Sequence, residues 1–214
     1  MNTYVRPVID TPISRDDDGH IVEYGNRWEG SPPESSYSVD THPERFAPLH
    51  DVADALITHL SRNYDVRLID GAEAEADLLR PVSGVVRAVR VQPSTPTCAA
   101  ITFIFTAYPG ILLHAGLLHD FPHPICGCDA CDSTWVAEAD ELERDVRAIV
   151  TGHFRENIER TSRRWVTYAF TYPNGTSSGQ SRASDLPAER VQAAAPLLRE
   201  HPGGWGAWPV RPRR

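Results

Sequence analysis

Three of the chain's four cysteines and three of its nine histidines fall between positions 114 and 131. The stretch runs His114-Ala115-Gly116-Leu117-Leu118-His119-Asp120-Phe121-Pro122-His123-Pro124-Ile125-Cys126-Gly127-Cys128-Asp129-Ala130-Cys131. Thiolate and imidazole are the donors zinc prefers, four of them in a tetrahedron at about 2.0–2.3 Å. The two-residue gap between Cys128 and Cys131 lets one tight turn aim both sulfurs inward, and Gly127 lets the backbone fold closely beside Cys126. The pattern predicts a structural zinc site with Cys126, Cys128 and Cys131 as ligands and a fourth drawn from His119, His123 or Cys98. His119 is preferred, because it ends the strand-like run that feeds the loop. Cys98 enters because a hairpin centred on Pro109 would set it opposite a residue near Asp120. His114, in mid-strand, reads as a sheet residue.

Two other chemistries use the same residues. A zinc hydrolase would take His119, His123 and one or two of the cysteines, keep a water in an open position, and use Asp120 as its base. A thiol redox pair would need Cys128 at a helix N-terminus. Here the expected helix cap, Asp132 or Ser133, comes after Cys131, and Asp129 and Asp132 would repel a thiolate.

Elsewhere the chemical signals weaken. Gly175-Thr176-Ser177-Ser178-Gly179 matches a nucleophile elbow, but that elbow needs a strand-to-helix turn and this one sits in an expected hairpin. Asp16-Asp17-Asp18-Gly19 lacks the bidentate Glu of a calcium loop. The chain has no lysine, which removes phosphate-loop, Schiff-base and pyridoxal chemistry together. A net charge of −8 argues against nucleic acid, and the short Arg-rich end at 211–214 reads as a solvated tail. No apolar run approaches the roughly 20 residues of a membrane helix, and the N-terminus lacks a secretory apolar region. The expected setting is the cytoplasm, where thiols stay reduced. The partner, small molecule or protein, is not specified by any motif.

The elements that must position the cluster follow from periodicity. Residues 1–48, rich in Pro, Asp, Ser and Gly, are expected to form an irregular arm packed on a single domain spanning 49–214. Aromatics in that arm, Trp28 and Tyr37 among them, cover the core or else hold a partner. Leu49 to Asn63 has helical spacing; 85–91, 101–108 and 111–118 read as strands, the last two a hairpin about Tyr108-Pro109-Gly110. A helix follows the cysteines, with Trp135, Ala139, Leu142, Val146, Ile149 and His153 as its apolar stripe. Residues 164–172 and 176–182 form a second hairpin and 187–199 a last helix, with Trp205 and Trp208 laid over the core. The fold class is α+β, an antiparallel sheet of about five strands with helices on one face.

The segments Tyr24-Gly25-Asn26-Arg27-Trp28, Tyr37-Ser38-Val39-Asp40-Thr41-His42-Pro43-Glu44-Arg45-Phe46, His114 to Pro122, Cys126 to Asp132 and Tyr168 to Pro173 together resemble an uncharacterised bacterial family that carries only a domain-of-unknown-function label. The likeness runs through most of the chain and implies one domain. It implies no catalytic residues.

Overall fold

The computed structural model describes residues 3–159 and 164–212. The last two residues of the Arg-rich tail and the first two of the arm lie outside that range. Helix α1 spans Pro48–Asn63, with Pro48 at its first turn, where a missing N–H costs nothing. Its periodic residues Leu49, Val52, Ala53, Leu56, Ile57 and Leu60 are all buried, so the spacing read from sequence is the face that packs.

A five-stranded antiparallel sheet follows in simple meander order: β1 (Val66–Asp70), β2 (Val85–Pro93), β3 (Ile101–Thr106), β4 (Ile111–Ala115) and β5 (His119–His123). One face presents Val89, Val91, Ile101, Phe103, Phe105, Ile111 and Leu113 to the main core. The other buries Ala88 and Ile104 with Ala74 of the one-turn helix α2 (Ala72–Glu75). Central strand β3 is therefore covered on both sides, which is why its sequence reads as a near-continuous apolar run, broken inside only by the buried Thr102. Helix α1 packs on the core face and α2 lies on the opposite side, a small departure from the expected one-sided arrangement.

Helix α3 (Trp135–Val150) begins at Thr134, whose hydroxyl accepts the N–H of Ala137 at 3.2 Å. The cap is thus not Asp132 or Ser133. Asp132 takes a left-handed φ of 51° and turns its carboxylate to Arg27 instead. The stripe stops at Ile149, and His153 falls beyond the helix.

The second hairpin, β7 (Trp165–Tyr172) with β8 (Gly175–Arg182), does not extend the first sheet. It joins β6 (Phe154–Ile158) in a separate three-stranded sheet. Helix α3 packs on β7, and helix α4 (Ala188–Glu200) on β6. An aromatic seam joins the sheets: Phe121 of β5 lies 4.9 Å from Tyr168 and 5.1 Å from Phe170 by ring centroid. Trp205 and Trp208 are buried, the latter donating to Ala99 O at 2.8 Å. Among the described residues, those before Pro48 hold two short 3-10 turns and one isolated bridge, yet they carry Phe46, fully buried in the main core. Among the described residues no helix is long and apolar enough to cross a membrane.

Candidate metal centre

Strand β5 decides where each candidate ligand lies. Sequence reading has His119 end a strand that feeds straight into the cysteine loop, but His119-Asp120-Phe121-Pro122-His123 pairs antiparallel with β4, His119 opposite Ala115 and His123 opposite Ile111. The chain is carried back across the sheet before the cysteines begin. Five residues at about 3.4 Å each put His119 and His123 at opposite ends of the strand. The cysteine loop therefore emerges beside the Tyr108-Pro109-Gly110 turn, away from His119.

At that end the three sulfurs converge. Cys126 Sγ and Cys128 Sγ are 3.3 Å apart, Cys128 Sγ and Cys131 Sγ 3.5 Å, and all three lie within 4.8 Å of one another. Corners of a zinc–thiolate tetrahedron with bonds of about 2.3 Å are roughly 3.8 Å apart, close to this spacing. Among the described residues no His, Asp, Glu or further Cys joins that group. No disulfide forms: all four cysteines are free. The Cys128 thiol is pulled down to about 7, first by the hydrogen bond from Cys126 and then by the nearby amides of Cys131 and Ser38. Cys131, facing both neighbouring sulfurs, is pushed up to about 12. Three sulfurs this close resist carrying three charges together unless a cation sits among them.

The other expected ligands are elsewhere. His119 is buried, and its Nδ1 lies 2.7 Å from Oε1 of Glu156, a carboxylate with no exposed side-chain surface. Glu156 also accepts from Leu118 N at 2.9 Å, Leu117 N at 3.0 Å and Trp205 Nε1 at 2.9 Å. That hub anchors the turn between β4 and β5 to the second sheet. His123 is buried with both ring nitrogens unbonded, Nε2 being 3.8 Å from Asp145. Burial drops its pKa to about 4, with Arg144 adding to the effect. Cys98 donates to Ala207 O at 3.2 Å, at the sheet end that holds His119. Asp120, the base of the hydrolase alternative, is held by His114 Nδ1 at 2.6 Å and Leu79 N at 3.1 Å. Ser177 of the Gly175–Gly179 match lies in strand β8, within the hairpin expected there and not on a strand-to-helix turn.

Sequence reasoning missed what holds the loop in place. The arm runs alongside it: Asp129 N donates to Val39 O at 2.7 Å and Ala130 N to Ser36 O at 3.0 Å. The Asp129 carboxylate accepts Tyr24 OH at 3.2 Å and Thr41 N at 3.4 Å, and a short bond from the Thr41 hydroxyl. Burial alone would raise the Asp129 pKa, but the Thr41 bonds and Arg27 prevail and hold it below its usual 3.8. Arg27 donates to Asp132 at 3.0 Å and Asp129 O at 2.6 Å. Arg45, with its side chain 4% exposed, donates to His42 O at 2.9 Å, Gly127 O at 2.6 Å and Ser133 O at 3.3 Å. Both guanidiniums stack on Tyr24, at 4.3 and 4.0 Å from its ring centre. The arginines sit far from the cysteines in sequence, and no local pattern marks their targets as backbone carbonyls.

Residues 10–212 match a family of unknown function, DUF6226, and the chain belongs to that family. No curated protein matches the chain, and no solved structure does.

Proposed function

We propose that Cys126, Cys128 and Cys131 bind one zinc ion whose role is structural: it stitches the cysteine loop, and the N-terminal arm docked on it, to the end of the five-stranded sheet. The observation that carries this reading is the convergence of three free sulfurs at separations of 3.3 and 3.5 Å beside the β3–β4 turn. Soft thiolate donors select zinc over hard cations. Three thiolates also blunt its Lewis acidity, and Asp120 is held by His114 and Leu79 N outside the sulfur group, which disfavours the hydrolase alternative with Asp120 as base. Four unpaired cysteines suit a reducing compartment, and we place the protein in the cytoplasm. With a net charge of −8, nucleic acid is not its partner.

The test is metal analysis of the full chain purified without chelator. The reading expects about one zinc per chain, lost in Cys128→Ser, together with faster proteolysis of the arm once metal is removed. Metal-free protein with a protease-resistant arm and all thiols titratable would remove the proposal.

A further inference from the structure

Tetrahedral zinc needs a fourth donor, and the arm brings one alongside the loop. His42 Nδ1 lies 3.0 Å from Glu44 Oε1. A carboxylate at Nδ1 fixes the proton there and leaves Nε2 as a lone-pair donor, the arrangement that orients metal-bound histidines. Among the described residues nothing hydrogen-bonds that Nε2. The ring is mostly sheltered, its side chain 17% exposed, and it stands edge-on to Tyr24 at 6.3 Å.

Its backbone is held next to the cysteines. One guanidinium, that of Arg45, bonds His42 O and Gly127 O with neighbouring nitrogens, so the residue between Cys126 and Cys128 and the carbonyl of His42 sit side by side. Asp129 N donates to Val39 O and Ala130 N to Ser36 O, and Thr41 N and its hydroxyl bond Asp129. Residues 36–42 thus run beside 127–130. Two carboxylates of this region are already engaged, Asp129 by Thr41 and Tyr24 and Asp132 by Arg27; Asp40, on the same stretch as His42, is a hard oxygen donor, which a zinc ion already held by three thiolates favours less than imidazole. His42 stands outside the 4.8 Å group of sulfurs, so its ring must turn about its side-chain torsions to close on an ion.

We propose that His42 is the fourth metal ligand, its Nε2 completing the sphere begun by Cys126, Cys128 and Cys131, with Glu44 as the positioning carboxylate. The inference rests on the zinc reading above. It assigns the Thr41-His42-Pro43-Glu44-Arg45 stretch one job: Thr41 and Arg45 dock the arm, and His42 bonds it to the metal.

Cobalt(II) substitution of the full chain tests it, because thiolate-to-cobalt charge transfer counts sulfurs and the ligand-field bands report the fourth donor. His42→Ala is expected to weaken cobalt and zinc binding at least about 100-fold and to shift the ligand-field bands, and Glu44→Gln to weaken binding about 10-fold. His42→Cys is expected to keep tight binding and raise charge-transfer intensity by about one third, four sulfurs replacing three. This variant keeps the test decisive should the alanine variant fail to fold. Unchanged affinity and spectrum in His42→Ala, or no added sulfur signal in His42→Cys, overturns His42 as ligand while leaving the three-cysteine site standing. A wild-type chain that takes up no cobalt or zinc overturns both.

Discussion

Replacing Arg45 separates charge from geometry in the docking of the arm. The guanidinium is 4% exposed, reaches three backbone carbonyls and lies over the rings of Tyr24 and Phe46 at 4.0 and 4.3 Å. A hydrogen bond from a charged donor is worth about 1.5–3 kcal/mol, and stacked cation–ring contacts about 0.5–1 kcal/mol. These terms do not add in full, because a loosened arm lets water reach the freed carbonyls. Arg45→Ala is expected to cost about 4 kcal/mol. Arg45→Lys keeps the charge but loses the planar fork, and a single ammonium cannot span His42 O, Gly127 O and Ser133 O; about 2 kcal/mol is expected. In urea unfolding, with a slope of about 2 kcal/mol per M, the lysine variant should lose about 1 M of midpoint and the alanine variant about 2 M. Hydrogen exchange localises the effect: the amides of Asp129 and Ala130, bonded to Val39 O and Ser36 O, should exchange at least about 10-fold faster in the lysine variant. A lysine variant unfolding with the wild type, with both amides still protected, would refute the fork argument.

Glu156→Gln leaves four donors facing a group that can accept from only one end, and about 3 kcal/mol should be lost in the same urea experiment. Gly116→Ala should be worse than Gly19→Ala, although both glycines have positive φ, 67° and 85°. A Cβ at Gly116 meets the immobilised Glu156 carboxylate, whereas at Gly19 nothing lies within 4 Å, so the second change should cost only about 1 kcal/mol. The buried pair His123 and Asp145 predicts opposing pH dependences. Burial lowers His123 to about 4, so the unfolded chain binds its proton first and stability falls as pH drops from 6.5 towards 4. Burial raises Asp145 to about 6, so the folded chain binds that proton first and stability rises as pH drops from 6 towards 3.8. Urea midpoints taken from pH 7 to 4 should fall more steeply in Asp145→Asn than in wild type and less steeply in His123→Gln; parallel curves for all three would contradict the assignment.

The elements legible in the sequence are those whose signal is local. Leu49 to Leu60 and Trp135 to Ile149 carry helical spacing that burial alone explains, and Tyr108-Pro109-Gly110 turns the chain between two apolar runs. β5 was hidden by Pro122 and by its histidines, which read as part of a metal loop. It is an edge strand, where a proline is tolerated. That one missed strand shifts the cluster to the far end of the sheet and separates it from His119 and Cys98. β1 and β6 are short and polar on one side, so their pairing follows from tertiary context. The separation of the second sheet was equally invisible, since hairpins 101–115 and 165–182 look alike until packing places them. In the site, the three cysteines announce themselves by spacing. Glu156, Arg45 and Thr41 do not, because each acts on groups distant in the chain.

X-ray absorption at the zinc edge, on full-length protein purified without chelator, tests the central claim most directly. The account predicts three sulfurs at about 2.3 Å and one nitrogen at about 2.0–2.1 Å around each ion. An ion surrounded by oxygen and nitrogen alone, or a chain with no zinc and two of the three cysteines joined at about 2.05 Å, would contradict it.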